Sequence, residues 1–388
     1  MSFGLYVHWP WCESKCPYCD FNSHVAERID ADRWIRAYRA EIRRVAETSG
    51  DEVLSTIFFG GGTPSLMPPA VVDAVIDEAR KAWRGANDIE ISMEANPGSV
   101  DAARFQGYRS AGVNRVSLGI QSLDDQHLRL LGRKHGVDEA LRAIDVAMAT
   151  FDRVNIDLIY ARQHQTQDDW RAELQRAIAI GTHHMSLYQL TIEDGTVFGR
   201  RHEAGQLRGL PDEDRSVDMY VMTNEICEAA GMPAYEISNH ARPGQECRHN
   251  LIYWQGGQYA AVGPGAHGRV GRGNARRATE AIRDPGAWLK AVDAGSGESL
   301  SQPLNAIERL EETILMGLRL SSGLDLARLR VDGANPDAPW TSLDTMIEDG
   351  FLKRDGDLLK TTMPGRLLLN TIVAELAADL PMDGSLAD

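Results

Sequence analysis

The chain has 388 residues, 43% of them hydrophobic and 25% charged, proportions that supply a full apolar core and exclude disorder as the default. A formal net charge of -15 opposes association with a phosphate backbone, so no nucleic-acid partner is expected. No run of about 18 apolar residues occurs, which excludes a spanning helix, and residues 1–11 lack the basic and apolar regions of a signal peptide, so a cytoplasmic protein is expected. In chain order, short apolar and β-branched runs at 5–7, 56–59, 89–93, 113–120, 154–160 and 184–190 predict six strands. Residues 31–48, 70–83, 137–149 and 167–180 carry apolar side chains at the helical period and predict the helices between them. Such alternation implies right-handed crossovers and an α/β fold with a parallel sheet covered by helices. Beyond residue 190, a Gly- and Pro-containing stretch at 193–211 precedes a helix at 212–230 and a strand at 233–238. The tail predicts helices at 306–320 and 343–348, β-like pieces within 351–362 and a helix at 364–376, the order of a small winged-helix-like α+β module. The acidic balance argues for packing or partner contact there rather than DNA binding.

Three of the five cysteines fall within eight residues: Cys12, Cys16 and Cys19, spaced C-x3-C-x2-C. A tight cluster in a cytosolic-looking chain points to metal ligation, where a disulfide framework would spread its cysteines. Three thiolates on one loop can each take one iron of a cubane cluster and leave the fourth iron open to a small molecule. A structural zinc completed by His8 or His24 uses the same thiolates and stays open on spacing alone. Gly60-Gly61-Gly62-Thr63 follows one predicted strand, where glycines permit close backbone approach; a tight turn is the plain alternative. Glu94, Gln121 and Asp157 fall at other strand ends, and the carboxyl ends of parallel strands are where barrel active sites assemble. Read singly, Glu94, Arg133 and Asp157 also suit ordinary ion pairs. His249, beside Tyr253 and Trp254, reads from its neighbours as a hydrogen-bonded core residue, and Cys227 as packing within a helix.

Together, the cysteine spacing, Tyr18, the glycine strand end and the alternation resemble the radical S-adenosylmethionine superfamily. The phrases Pro17-Tyr18-Cys19-Asp20-Phe21, Glu94-Ala95-Asn96-Pro97, Leu118-Gly119-Ile120-Gln121-Ser122, Leu131-Gly132-Arg133-Lys134-His135 and Asp157-Leu158-Ile159-Tyr160 resemble the family of oxygen-independent coproporphyrinogen III oxidase and the heme chaperone HemW. Gly263-Pro264-Gly265-Ala266-His267-Gly268 and the C-terminal module extend the resemblance over nearly the whole chain. It implies a partial, three-quarter parallel β/α barrel of the TIM type at 1–240, a connecting region at 241–304 and the C-terminal module at 305–388. It also implies a [4Fe-4S] cluster on Cys12, Cys16 and Cys19, with Tyr6, Gly61, Gly62, Thr63, Glu94, Gln121, Arg133 and Asp157 around S-adenosylmethionine. One departure is Ala161-Arg162-Gln163-His164, where family members often carry Gly-Leu-Pro-Gly.

Oxidase members usually carry a fourth cysteine two residues beyond the third and a longer segment ahead of the cysteines; here Phe21 holds that position and eleven residues precede Cys12. Both features, with the H-N-x-x-Y-W phrase at 249–254, resemble the chaperone branch. The resemblance then implies heme as a further ligand, with His249 at the iron, Tyr253 and Trp254 along the macrocycle, and transfer to acceptor hemoproteins such as respiratory enzymes. The alternative is oxidative decarboxylation of coproporphyrinogen propionates. Coproporphyrinogen oxidase activity is expected to be absent; cleavage of S-adenosylmethionine, the electron donor, a homodimer and peripheral contact with the inner membrane stay open.

Overall fold

The computed structural model describes residues 3–25 and 28–382. Its main sheet has 11 strands. In chain order they are β1 (Phe3–Trp9), β2 (Val53–Gly61), β3 (Arg84–Ala95), β4 (Arg115–Gln121), β5 (Arg153–Tyr160), β6 (His184–Gln189), β7 (Asn239–Ala241), β8 (Gln258–Val262), β9 (His267–Val270), β10 (Arg277–Ala281) and β11 (Glu298–Pro303). The spatial order is β11-β10-β9-β8-β1-β2-β3-β4-β5-β6-β7. From β8 through β6 every neighbour is parallel, and both ends continue antiparallel. The two edges do not meet, so the barrel is partial, as expected.

Strand β1 shows why this arrangement holds. Every residue of Phe-Gly-Leu-Tyr-Val-His-Trp is buried except Tyr6, the burial of a central strand covered on both faces. The helix Ala31–Ser49 starts on Asp30, whose side chain accepts from the Arg33 amide, and buries Trp34, Tyr38, Ile42 and Val45 on one face. Gln167–Ile180, expected from its apolar period, opens with a Thr166/Asp169 capping box and ends on left-handed Gly181.

The structure departs from expectation in four places. Residues 235–238 form bends, and the strand comes later at Asn239–Ala241. There the buried Glu236 carboxylate accepts from the Ser238 amide and the Asn239 side chain, stabilising a turn that lets Tyr235 N–H reach Asn239 O at 3.1 Å. Residues 241–304, expected as a connecting region, supply four strands of the main sheet, β8 pairing directly with β1. The helix at 102–111 lacked a clear apolar stripe and was not anticipated; it buries Phe105 and Tyr108. Finally, the last predicted helix breaks at Leu368 into Met363–Leu367 and Leu369–Ala378.

In the C-terminal module, helices Ala306–Gly317, Ala327–Val331 and Thr341–Glu348 surround a three-stranded sheet that includes the Leu352–Asp355 and Leu358–Thr361 hairpin. This is a winged-helix order, closed on its own core of Leu310, Ile314, Leu324, Trp340, Leu359 and Ile372. Glu312 ties it to the main sheet by accepting from Arg269 at 2.8 Å, and the Arg319 guanidinium lies 5.0 Å over the Trp254 ring.

Candidate functional site

All three clustered cysteines are free thiols of intermediate burial. Their loop leaves β1 and is held by backbone bonds to the glycine turn: Gly62 N–H to Trp9 O at 2.7 Å and Thr63 N–H to Trp11 O at 2.9 Å. Thr63 Oγ1 donates to Cys12 Sγ at 3.3 Å, and Arg133 Nη1 to Cys16 Sγ at 3.4 Å. A Cβ on Gly62 would sit 3.0 Å from Cys12 Sγ and 2.8 Å from Trp11 O, so glycine is required for this approach. Burial pushes the Cys12 and Cys19 thiols up, while the Thr63 hydroxyl pulls Cys12 back down. Among the described residues no three His, Cys, Asp or Glu side chains converge on one ion position. A cubane cluster does not need that convergence, since each thiolate takes a different iron. Nor is a histidine idle beside the thiols. His8 has Nδ1 at 3.1 Å from Tyr6 Oη and Nε2 at 2.9 Å from Asn22 O, and His24 Nε2 lies 3.2 Å from Asn22 Oδ1. The donor set therefore fits three thiolates on a cluster better than a zinc completed by histidine.

The other residues singled out from the sequence line the neighbouring strand ends. Gly61 has φ +114°, and its amide donates to Glu94 Oε2 at 3.1 Å. Burial, reinforced by nearby Asp157, pushes the Glu94 carboxyl up to about 8. Asp157 is also raised by burial, against hydrogen bonds from Ser117 Oγ at 3.1 Å and Asn155 Nδ2 at 2.6 Å. Gln121 ends β4 with φ +69°, just where the register to β5 shifts. Arg133 reaches Gly119 O at 2.8 Å and Cys16, so it joins the β4 side of the rim to the cysteine loop.

Two cavities adjoin these residues. The inner one, about 210 Å³, lies within the barrel against Tyr6, Glu94, Arg115, Asp157, His249 and Tyr253. The outer one, about 500 Å³, shares Tyr6, Gly61, Glu94 and Tyr253 and extends to Phe21, Trp254, Tyr259, His267, Arg283 and Met316. His249 is fully buried, with Nδ1 at 2.7 Å from Thr56 Oγ1 and Nε2 at 2.6 Å from Tyr253 Oη, and its ring stacks on Phe58. Burial and the Arg115 charge pull its pKa down to about 3, so it is held neutral. Both nitrogens are engaged, as for a core histidine, and iron ligation by His249 requires one of these bonds to open. Cys227 is buried, as expected.

Three features were not read from the sequence. His8 joins Tyr6 to the cysteine loop. Arg115 is 3% exposed, lines the inner cavity and makes no ion pair among the described residues; a charge opening an otherwise apolar strand run was its available signal. Arg162 and Glu173 form a buried ion pair, and the same carboxylate accepts from Ser122 Oγ at 2.7 Å and Leu123 N–H at 2.6 Å. Nothing local in sequence announces a pair that joins a loop to a helix eleven residues away.

Residues 6–177 match the Radical SAM superfamily and residues 304–368 the HemN C-terminal domain. The chain is 40% identical to the mitochondrial radical S-adenosyl methionine domain-containing protein 1 of Bos taurus, over 97% of this chain and 88% of the relative. It is 37% identical to the heme chaperone HemW of Escherichia coli strain K12, over 97% of this chain and 98% of the relative. Among solved structures, Escherichia coli coproporphyrinogen III oxidase (HemN), described as a radical SAM enzyme, superposes with a TM-score of 0.81 at 21% identity, covering 97% of this chain and 90% of its own. The last likeness establishes the shared fold. The chain belongs to the HemW family within the radical S-adenosylmethionine superfamily, a membership that carries a [4Fe-4S] cluster and S-adenosylmethionine as its cofactors.

Proposed function

We propose that this protein binds heme and transfers it to acceptor hemoproteins. One observation carries the reading: 37% identity spanning 98% of a protein named heme chaperone HemW, against 21% to the solved oxidase. Phe21, 56% exposed where a fourth cysteine would stand in an oxidase, supports it.

In this reading Cys12, Cys16 and Cys19 hold the cluster, and Tyr6, Gly61, Gly62, Thr63, Glu94, Gln121, Arg133 and Asp157 surround S-adenosylmethionine. Bound there, a [4Fe-4S] cluster supplies an open iron position for the amino-acid end of that ligand and a store of one electron. The chain's own groups do the positioning. Glu94, partly buried and raised to about 8, holds a proton at its carboxyl until a cationic ligand group displaces it. Asp157, fixed by Ser117 and Asn155, accepts from a hydroxyl or ammonium, and Arg133 donates to a carboxylate while holding Cys16. Tyr253 and Trp254 of the H-N-x-x-Y-W phrase wall the outer cavity, and His249 fixes the Tyr253 hydroxyl from behind. The strands through residue 240 carry the cofactors, 241–304 contributes the heme wall, and 305–388 packs against it. The partners this function calls for are acceptor hemoproteins, including respiratory enzymes reached at the surface of the inner membrane from the cytoplasm, and an electron donor; a homodimer is compatible with it. Among the described residues no helix is long and apolar enough to cross a membrane.

The test is a pair of anaerobic assays on protein reconstituted with iron and sulfide. Heme titration followed by transfer to an apo-hemoprotein is expected to succeed, and incubation with coproporphyrinogen, S-adenosylmethionine and reductant is expected to leave the substrate unchanged. Rapid formation of protoporphyrinogen without heme binding overturns the reading in favour of the oxidase.

A further inference from the structure

Residues 235–239 bend where a strand was expected, and the turn they make joins the C-terminal module to the interior of the barrel. On the module side, Ile237 packs against the module's apolar core, and the Ser321 amide, just past the module's first helix, donates to Tyr235 O at 3.0 Å. Ser321 Oγ donates to Ala234 O and accepts from Arg366. On the barrel side, Tyr235 Oη lies 2.9 Å from His184 Nε2, and Asn239 Oδ1 accepts from Ser186 Oγ at 2.8 Å, both partners being on β6.

From His184 the bonds continue inward. His184 Nδ1 is 2.6 Å from Asn155 Oδ1, and Asn155 Nδ2 is 2.6 Å from Asp157 Oδ1. His184 and Asn155 are 3% and 1% exposed. Chemistry fixes the direction of each bond. Ser117 Oγ and Ser186 Oγ give their protons to Asp157 and Asn239, so the Asn155 atom they face at 2.6 and 2.9 Å is the donor nitrogen. The Asn155 oxygen then needs a proton from His184 Nδ1. Burial, with the Arg115 and Arg153 charges, keeps that imidazole neutral, which leaves Nε2 to accept from the Tyr235 hydroxyl. The donors therefore run one way, from Tyr235 through His184 and Asn155 to Asp157, and hydrogen bonds in such a line polarise one another. Burial pushes Asp157 toward its protonated form, and the bonds it accepts oppose this.

Resting on the placement of Asp157 at S-adenosylmethionine proposed above, we infer that Tyr235 and His184 are positioning residues. They act through Asn155 to hold Asp157 in its accepting form and orientation, and the C-terminal module, by gripping the turn at Tyr235 and Ile237, sets how tightly S-adenosylmethionine binds. The turn thereby gains a role beyond packing: it links a module outside the barrel to a carboxylate within it.

The experiment titrates full-length, cluster-reconstituted protein with S-adenosylmethionine by calorimetry. It also follows the electron paramagnetic resonance spectrum of the reduced cluster, which shifts when a ligand fills the open iron position. Asp157→Asn keeps the shape, removes the charge and is expected to weaken binding about twentyfold. Tyr235→Phe lacks only the hydroxyl and is expected to weaken it about fivefold, the size of one hydrogen bond, with circular dichroism and iron and sulfide content unchanged. Ser321→Ala is expected to weaken it about twofold. The deciding measurement combines them. Added to Asp157→Asn, Tyr235→Phe and Ser321→Ala are each expected to weaken binding by less than about 1.5-fold more, because the carboxylate they act through is gone. The same loss in both backgrounds would be a general loosening of the fold and overturns the inference, as does native affinity in Tyr235→Phe. Native affinity in Ser321→Ala overturns the module's part in it. Native affinity in Asp157→Asn takes Asp157 out of the site and overturns the reading on which the inference rests.

Discussion

No residue of the cysteine loop from Trp11 to Asn22 is buried, whereas on the loops after β4 and β5 Ser122, Leu123, Ala161, Arg162 and Gln165 are buried. Both segments rim the same site. The β4 and β5 loops meet on one carboxylate, Glu173, which pairs with Arg162 and accepts from Ser122, Leu123 and Gln165. The cysteine loop is held at its ends and at Pro17, by backbone bonds to the glycine turn, by Asn22 to His8, Pro264 and Arg283 and by Phe198 N–H to Pro17 O, while its sulfurs have two light contacts, from Thr63 and Arg133. One side of the rim is thus complete in the polypeptide alone, and the other leaves its sulfurs for an external group to fix.

The comparison is broken most directly at Glu173. Removing one partner of a buried ion pair leaves the other charge uncompensated, at a cost of about 3–5 kcal/mol. Glu173→Ala is therefore expected to lose that much stability in denaturant unfolding, with or without reconstitution. A loss under about 1 kcal/mol would mean that the loops are held by their apolar residues instead.

Cys16→Ser asks the opposite question. In protein without iron and sulfide it is expected to change stability by less than about 0.5 kcal/mol, because this side chain is only partly buried. Reconstitution is expected to stabilise the native chain, by about 2.7 kcal/mol where the bound group is at a hundredfold excess over its dissociation constant, and the variant much less. Equal stabilisation of both, read from thermal unfolding, would remove Cys16 from the ligand set.

These two segments also differed in how far they could be read from sequence. The cysteine loop carries its chemistry in eight consecutive positions, so spacing alone announced a metal site. Likewise β1 to β6 announced themselves through continuous apolar runs, and the helix at 167–180 through the helical period of its apolar positions. What stayed hidden depends on contacts distant in sequence. Strand β8 pairs with β1 across about 250 residues, so its short run looked like a connector. His249 meets Thr56 across 193 positions, so of its two engaged nitrogens only the one bonded to Tyr253, four residues on, has a partner near it in sequence. The site was legible as a set of strand ends; which of its groups are free was not.

Glu94 sharpens the comparison through pH. Its folded pKa of about 8 lies above the ordinary carboxyl value of 4.5, so folding favours the protonated form. The stability this contributes is whole below about pH 4.5 and is lost as pH rises through 8. One such group gives a slope of at most about 1.4 kcal/mol per pH unit between these values. Unfolding measured from pH 5 to pH 8 is expected to show a decline that Glu94→Gln flattens, with Asp157, also raised, supplying the remainder. An unaltered slope in the variant would place the strain elsewhere on the rim.

The smallest effect tests how much conformational strain the pinned side carries. Ala161 and His164 have φ of +56° and +61°, and these are the two positions where the related phrase Gly-Leu-Pro-Gly has glycine. A side chain in the left-handed region costs about 1–2 kcal/mol, and replacing it by glycine returns that at the expense of about 0.5–1 kcal/mol of unfolded-chain entropy. The two sites then diverge by burial. Ala161 is 3% exposed, so losing its methyl forfeits about 0.8 kcal/mol of apolar burial and leaves Ala161→Gly near neutral. His164 is exposed, and the bond that matters there, its amide to Gly209 O at 2.6 Å, belongs to the backbone and survives substitution. His164→Gly is therefore expected to stabilise the protein by about 0.5–1 kcal/mol, read as a raised unfolding midpoint at unchanged denaturant slope. A lowered midpoint would mean that the imidazole itself packs the loop against Gly209, where a Cβ would come within 2.2 Å of His164 Cε1, and that this contact outweighs the strain of the backbone beneath it.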